Sequence, residues 1–336
     1  YCRLDTLSLS SPAGFAFASG DIENINLDEL LHWGTESLVE TQSSLEIYCG
    51  DLSVEPFIDY FPGIPFSEGT FTGKALVRGS LLHPIIRLDG AAGDIVLQHV
   101  TVPRVDLRAD LDRSGITLEG EIFLEDDRKQ GSFSGSLPLK ENRWLYSMDR
   151  EKEMSFDLEI TEIDLSRVAD ISDLVARAEG EGSVKFTVRG AVSAPDLSGD
   201  LRLRGAGFRL AGMEERFRKV NARVSFEDTL IRVRYLNGEE GKEGKFSGSG
   251  TVSLRGWQPV AYDLTVDMEK FLVTSIRDVA AIVTGKLNIG TEMVEGEAVP
   301  FLSGSFEVNE AEVYFNPGNM ESGGNGGVVI RPSWMA

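Results

Sequence analysis

The segment Pro195-Asp196-Leu197-Ser198-Gly199-Asp200-Leu201-Arg202-Leu203 alternates polar and apolar residues, and the chain repeats it. It returns as Pro300-Phe301-Leu302-Ser303-Gly304-Ser305-Phe306-Glu307-Val308, and a related segment begins at Pro84. The three prolines are 111 and 105 residues apart. This interval is too long for one unit of a helical solenoid, so it indicates a multi-stranded module. Self-similarity at a nearly fixed interval predicts an elongated stack instead of one globule.

Alternation with a period of two extends through most of the sequence. Val184-Lys185-Phe186-Thr187-Val188-Arg189 is a clear case, and turn signals such as Asn237-Gly238 separate the alternating runs. Short connections favour antiparallel hairpins. At about 11 residues per strand and turn, one repeat would contain about ten strands. The sequence therefore predicts an all-β fold: an elongated, twisted, mostly antiparallel sheet that curls into an apolar groove.

The repeats give a predicted division of the chain. Residues 1–50 are part of a preceding β-repeat, 51–163 and 164–290 are two groove repeats, 291–316 start a third, and 317–336 form a Gly-rich flexible tail. A few short helices are expected at the junctions. The candidates are Leu27–Leu31 and the run from Leu165 to Ala178, which Asp164 or Ser166 would cap.

Composition restricts the partners. The formal charge is −21, from 54 acidic and 33 basic residues. Because contacts with phosphate need an excess of Lys and Arg, we expect neither nucleic acid nor an anionic membrane surface as a partner. No stretch approaches the ~18 apolar residues of a spanning helix. The chain begins at Tyr1 without a signal segment, which we interpret as a piece of a longer protein.

Motifs for chemistry are weak. A calcium-loop spacing runs from Asp110 through Asp112 to Glu121, but both flanks alternate as strands, so a hairpin is the better interpretation. The three histidines lack a second ligand at metal-site spacing, and paired acids such as Asp126-Asp127 are typical of solvated turns. We predict no enzyme, no cofactor and no metal. Cys2 and Cys49, the only cysteines, could form a disulfide or remain two half-buried thiols.

The copies of Pro-x-Leu-Ser-Gly-x-[Leu/Phe]-x-[Leu/Val], the second preceded by Val188-Arg189-Gly190 and the third by Gly285-Lys286-Leu287-Asn288-Ile289-Gly290, resemble the TamB family. TamB is the inner-membrane subunit of the translocation and assembly module of diderm bacteria and is related to AsmA-like proteins. The resemblance extends from about Asp51 to Phe315. The third copy departs from the pattern by five additional residues between Gly290 and Pro300.

This resemblance implies a periplasmic, groove-shaped β-rod. Segments absent from this sequence would anchor it in the inner membrane and join it to an outer-membrane β-barrel partner. Its cargo would be phospholipid acyl chains that slide along the groove between the two membranes. A continuous apolar surface suits such a task, because an acyl chain in water costs about 0.8 kcal/mol per exposed methylene.

Strand parity gives the side chains that would line the groove. The candidates are Val184, Phe186, Val188, Leu201, Leu203, Phe208, Leu210, Val224, Phe226, Ile231, Val233, Tyr235, Leu264, Val266, Met268, Phe306, Val308, Val313 and Phe315. The same alternation would also build a dry β-core filled by its own side chains. Two other functions stay open: a scaffold that captures strands of outer-membrane proteins or autotransporters by β-augmentation, and an adhesive calcium-binding β-repeat.

Overall fold

The computed structural model describes residues 2–24, 41–55, 66–97, 100–124, 128–142, 145–166, 175–210, 217–275, 279–294 and 297–313. These residues form eighteen β-strands, and none of them lies in an α-helix. The strands of the first half are β1 (Cys2–Ser11), β2 (Gly14–Glu23), β3 (Gln42–Ser53), β4 (Phe66–Gly79), β5 (Pro84–Leu97), β6 (Val100–Asp112), β7 (Gly115–Phe123), β8 (Gly131–Asn142) and β9 (Leu145–Met148). The second half contains β10 (Glu153–Asp164), β11 (Val175–Ala191), β12 (Ala194–Leu210), β13 (Phe217–Asp228), β14 (Leu230–Glu240), β15 (Gly244–Arg255), β16 (Gln258–Ser275), β17 (Val279–Val294) and β18 (Glu297–Val313).

The strands form one long antiparallel meander. Each strand pairs with the next one in sequence, except that β8 pairs with β10 through residues 131–136 and with the short β9 through residues 139–142. Within the described ranges β1 and β18 each have one neighbour, so the sheet is open. Without β9, which branches off β8, the sheet has seventeen strands in a row, and at about 4.8 Å per strand it is about 80 Å long. The predicted all-β, elongated antiparallel fold is confirmed.

The internal repeat corresponds to a fixed number of strands. Pro84, Pro195 and Pro300 lie in β5, β12 and β18, and six steps along the sheet separate each from the next. Pro84 pairs with Gly79 and Pro195 with Gly190, so two copies close their hairpins in the same register. The prediction of about ten strands per repeat is wrong. Strands of 11 to 18 residues are common here, and each uses more of the repeat than an average strand does.

The strand boundaries bear on two further predictions, the division into repeats and the helix after Asp164. The predicted divisions at 50/51 and 290/291 fall inside β3 and β17, so backbone pairing continues across them. The predicted helix from Leu165 to Ala178 is wrong over 175–178, which begin β11, because backbone pairing with β12 determines their conformation. Residues 167–174 of that prediction, and Leu27–Leu31, lie outside the described residues.

A line of β-bulges follows one side of the sheet. Asp51, Glu162, Lys219 and Lys270 have φ angles of 50°, 57°, 50° and 48°, and each lies where the register of its strand shifts. Bulges bend strands and increase their twist. Polar side chains satisfy the backbone groups released there: the Asp51 amide donates to Thr72 Oγ1 at 3.0 Å, and the Lys270 amide donates to Thr284 Oγ1 at 3.0 Å. The four bulges therefore place bends on the same side of the sheet in both predicted groove repeats, 51–163 and 164–290.

Candidate functional site: a continuous apolar face

Residues paired across neighbouring strands share a face of the sheet, so the register can be followed from strand to strand. One such series, the first apolar row, crosses fifteen strands from β1 to β16. Its members are Leu9, Ala16, Cys49, Gly73, Gly90, Leu107, Gly120, Phe133, Leu158, Phe186, Gly199, Phe226, Ile231, Val252 and Tyr262. The row contains no charged residue.

A second apolar row runs beside the first, from β3 to β18. Its members are Leu52, Phe71, Ala92, Val105, Ile122, Gly131, Ile160, Val184, Leu201, Val224, Val233, Gly250, Leu264, Ile289 and Leu302. A third, shorter row contains Gly182, Leu203, Ala222, Leu236, Gly248, Val266, Leu287 and Gly304. Together the rows make an uninterrupted apolar surface.

Ring contacts reveal that the apolar face is concave over the second half of the sheet. Phe186 on β11 and Phe226 on β13 lie two strands apart, yet their ring centroids are 5.0 Å apart, above Gly199 of β12. Phe217 on β13 and Phe271 on β16 are three strands apart, and their centroids are 6.3 Å apart. A flat sheet would separate strands three positions apart by about 14 Å. The face therefore curves inward.

Two clusters border this concave region. The first, called the rim cluster, consists of the buried side chains of Met154, Val188 and Leu197, with Phe156, Phe186 and Phe226 among the side chains packed against them. The β15–β16 turn closes over it, since Trp257 Nε1 donates to the Val192 carbonyl at 3.2 Å. The second, called the phenylalanine cluster, comprises Phe208, Phe217, Phe246 and Phe271.

The rows remain exposed at the ends of the sheet. Leu9 on β1 is 63% exposed, and on β18 Leu302 is 63% and Val308 58% exposed. The apolar face is thus filled by its own side chains near the rim cluster and is uncovered toward both edges.

The structure brings most of the predicted groove residues together on this face. Phe186, Phe226 and Ile231 belong to the first row, and Leu203 and Val266 to the third. The second row contains Val184, Leu201, Val224, Val233 and Leu264. Val188 is only 1% exposed, inside the rim cluster. The others on this face are Phe208, Met268, Phe306 and Val308, while only the backbones of Leu210 and Val313 are described and Phe315 lies outside the described residues.

Tyr235 is placed on the opposite face. It pairs with Arg223, whose guanidinium donates to Asp200 at 2.7 Å on the charged side of the sheet. The cause is a bulge: Val224 pairs with Val233 and Arg223 with Tyr235, so one additional residue enters β14. Leu236 takes the inward position next to Val233 instead. Strand parity counted from Ile231 could not reveal this shift.

Several inward side chains of strands β3–β10 were not among the predicted groove residues. Ile47, Leu88, Leu107, Phe133 and Leu158 lie on the same face as the rows. Alternation in the sequence gives a signal for them, as it does for residues 105–111, but their place in a common row depends on the register.

Phenylalanine rings on this face lie over glycines of neighbouring strands. A methyl group at Gly120 would be 2.5 Å from Phe133 Cζ, and one at Gly238 would be 2.7 Å from Phe246 Cζ. Aromatic rings cover glycine backbone in this way in β-sheets. The Gly-x-Phe-x-Gly segments around Phe133 and Phe246 are therefore structural, because each ring fills the space above a glycine of the neighbouring strand.

The other face of the sheet carries charges in compensating pairs. Asp89 on β5 pairs with Arg108 on β6 at 3.1 Å, and Arg108 also contacts Glu119 on β7 at 3.3 Å. A hydrogen bond from Arg189 lowers the pKa of Asp157, and one from Arg223 lowers the pKa of Asp200. A shallow depression of about 970 Å³ lies on this face over β5–β11. Since a twisted sheet is saddle-shaped, each face is concave along one direction.

The motif predictions have mixed outcomes. The calcium-loop match is a hairpin, as predicted: Asp112 pairs with Gly115, and Asp112 Oδ1 accepts from the Ser114 amide at 2.7 Å. Among the described residues no group of His, Cys, Asp and Glu could hold a metal ion.

Cys2 and Cys49 are both free. Cys2 lies level with Ser43 of β3, six residues from Cys49, a distance of about 20 Å along the strand that a disulfide cannot span.

Comparison of the chain with protein-family models, with curated proteins and with solved structures finds no match. Within the described ranges, no helix has the length and apolarity needed to span a membrane. The apolar rows are thus the feature of the molecule from which a function can be inferred.

Proposed function

We propose that this chain is a segment of a lipid conduit, in which the apolar face holds phospholipid acyl chains and guides them along the sheet. The observation that carries the proposal is the continuity of the first and second rows, each of which crosses fifteen strands without a charged side chain. Every methylene that moves along such a surface avoids a cost of about 0.8 kcal/mol in water. No catalytic group is needed for this task.

The resemblance to the TamB family supports the cellular setting of the proposal. We infer a periplasmic location, attachment to the inner membrane through a segment outside this sequence, and an outer-membrane β-barrel as partner. The transport would connect the inner and outer membranes. The charged face supports an aqueous environment for the outside of the sheet, because its carboxylates and guanidinium groups are paired but exposed.

The test is a lipid analysis of the protein purified without detergent from a bacterial envelope. Extraction into organic solvent and mass spectrometry should recover more than one phospholipid per chain. Val184→Asp places a charge in the second row and should remove most of this lipid. Ser183→Asp is the matched control, because Ser183 pairs with Arg202 on the charged face. Folded protein without lipid, or equal lipid in both variants, would contradict the conduit.

A second candidate is the scaffold that captures strands of outer-membrane proteins. The observation that favours it is β18, an edge strand of 17 residues with no partner on its outer side among the described residues. A long unprotected edge offers a row of unpaired backbone groups to another strand. Capture at this edge tolerates a charge at Val184, whereas lipid passage does not. Lipid content and function of the Val184→Asp variant therefore separate the two proposals.

A further inference from the structure

One aromatic side chain in each groove repeat reaches back to the hairpin at which the repeated motif begins. Tyr146 Oη donates to the Pro84 carbonyl at 3.2 Å, and Trp257 Nε1 donates to the Val192 carbonyl at 3.2 Å. Tyr146 and Trp257 are 111 residues apart, the same interval that separates Pro84 from Pro195. Both follow the fourth strand after the hairpin turn, in β9 after β8 and in the turn after β15. They therefore occupy equivalent positions in the two repeats.

The hairpin ends that receive these donors are also equivalent. The Leu81 amide donates to Thr41 Oγ1 at 2.9 Å, and the Val192 amide donates to the Lys152 carbonyl at 3.2 Å. Leu81 and Val192 are again 111 residues apart, and so are Thr41 and Lys152. Each hairpin end is thus held by the start of the preceding strand through an amide, and by an aromatic donor four strands further on through a carbonyl.

The aromatic contacts require a strongly curled sheet. In a flat sheet, a displacement of four strands is about 19 Å, which is more than a tyrosine or tryptophan side chain can span. In the second repeat the two turns touch directly, because a methyl group at Gly256 would lie 3.1 Å from the Ser193 carbonyl oxygen. The rim cluster packs against Val192 of one turn and against Leu254 beside the other. The strands β12–β15 therefore close on themselves at this end.

We propose that Tyr146 and Trp257 are aromatic clasps, one in each repeat, which hold their own repeat curled and open independently of each other. The two contacts share no residue, and each lies within one predicted groove repeat, 51–163 or 164–290. Trp257 makes its hydrogen bond at the surface, where its side chain is 52% exposed. Contacts of this kind open locally, without unfolding of the whole chain. In a lipid conduit, separate closure would let one repeat open to admit a molecule while the other stays covered.

The test measures how often each clasp opens, through the labelling of a buried thiol beside it. Both native cysteines are replaced by serine. Val188→Cys, in the rim cluster, reports on the second repeat, and Leu82→Cys, in the β4–β5 turn, reports on the first; the native side chains are 1% and 8% exposed. A bulky thiol reagent reacts only with open molecules, so the labelling rate is proportional to the open fraction when reclosing is fast.

Trp257→Phe removes the hydrogen-bond donor and retains a ring. It should accelerate labelling of the Val188→Cys thiol about twofold to tenfold, the range expected for the loss of one hydrogen bond, and leave labelling of the Leu82→Cys thiol unchanged. Tyr146→Phe should give the reverse pattern, with faster labelling of the Leu82→Cys thiol alone.

Two controls keep the outcomes distinct. Tyr235→Phe removes a hydroxyl on the charged face and should change neither labelling rate. Circular dichroism and a melting curve establish that each variant is folded, and Leu197→Cys, 5% exposed in the same cluster, replaces Val188→Cys if that variant does not fold. Unchanged labelling in both clasp variants would overturn the clasps, and equal acceleration at both reporters would overturn their independence. Because no lipid takes part in the labelling, the clasps and the conduit can each fail without the other.

Discussion

The ring of Phe133 on β8 lies directly over Gly120 on β7, so that a methyl group at Gly120 would stand 2.5 Å from Phe133 Cζ. The same methyl group would lie 2.5 Å from the carbonyl oxygen of Asp106 on β6, which is backbone and cannot move aside. Close packing of this kind couples the composition of one strand to that of the next two.

Gly120→Ala should therefore destabilise the sheet by about 1–3 kcal/mol, the usual cost of overpacking. Gly290→Ala is the matched control, because a methyl group there has no atom within 4 Å. We expect that control to be neutral or slightly stabilising, since alanine restricts the unfolded chain. Urea unfolding of both variants measures the difference. Equal midpoints would contradict the contact between Phe133 and Gly120.

The buried carboxylate of Glu240 should be a structural acceptor. Glu240 is 1% exposed, and its Oε2 accepts the Leu272 amide at 2.8 Å, next to the bulge at Lys270. Glu240→Ala removes the acceptor and should cost about 1–3 kcal/mol, the penalty for an unsatisfied buried donor. Glu240→Gln retains an acceptor oxygen and should cost less. Hydrogen exchange at Leu272 tests the mechanism, since only the alanine variant should lose protection there.

The ion pair between Asp157 and Arg189 predicts a small acid-dependent loss of stability. Both carboxylate oxygens accept from Arg189 Nη2, at 2.9 and 2.8 Å, and this bond lowers the pKa of Asp157. A carboxyl whose pKa is lower in the folded state stabilises the fold above its unfolded pKa, and the stabilisation disappears as pH falls through the folded pKa.

Because the two side chains are 48% and 47% exposed, the effect should stay below about 1 kcal/mol and shrink at high salt. Asp157→Asn should flatten the acid side of the stability curve, while the same change at Asp94, which makes no ion pair in the described structure, should not. Chemical denaturation at pH 7 and at pH 3 measures both. A steeper acid dependence in Asp157→Asn would refute this account.

The cysteines should remain two independent thiols under oxidising conditions. Burial raises the pKa of the Cys49 thiol, so less thiolate is present at neutral pH and alkylation of Cys49 should be slower than that of a model thiol. Iodoacetamide labelling followed by mass spectrometry of the native protein should find both residues modified. A dipeptide linked by a Cys2–Cys49 disulfide would show that the register of β1 or β3 is different.

Much of the fold could be predicted because alternation identifies strands and turn residues identify hairpins. Val105, Leu107, Ala109 and Leu111 alternate in the sequence and do lie on one face of β6, opposite apolar residues of β7. The number of strands could not be predicted as well from the sequence. β16 contains 18 residues, and its length follows from pairing with β15 over residues 258–269 and with β17 over residues 264–275, which local sequence does not encode.

For the apolar face, prediction from the sequence fails at one identifiable residue. Val184 and Leu201 could be assigned to the apolar face by parity, and they occupy adjacent places in the second row. Tyr235 could not, because the bulge in β14 adds a residue without changing the composition of the strand. A bulge follows from the balance of backbone pairing with two neighbours, so it leaves no mark in a pattern of polar and apolar residues.

Pairing between sequence neighbours has a consequence for how the molecule forms. In the described residues almost every strand is joined only to the strand before it and the strand after it. Contacts of this kind have low contact order, and each new hairpin adds to a template that already exists. Folding can then proceed strand by strand from either end of the sheet. A destabilised repeat would disrupt strand pairing locally, while the repeats on both sides keep their structure.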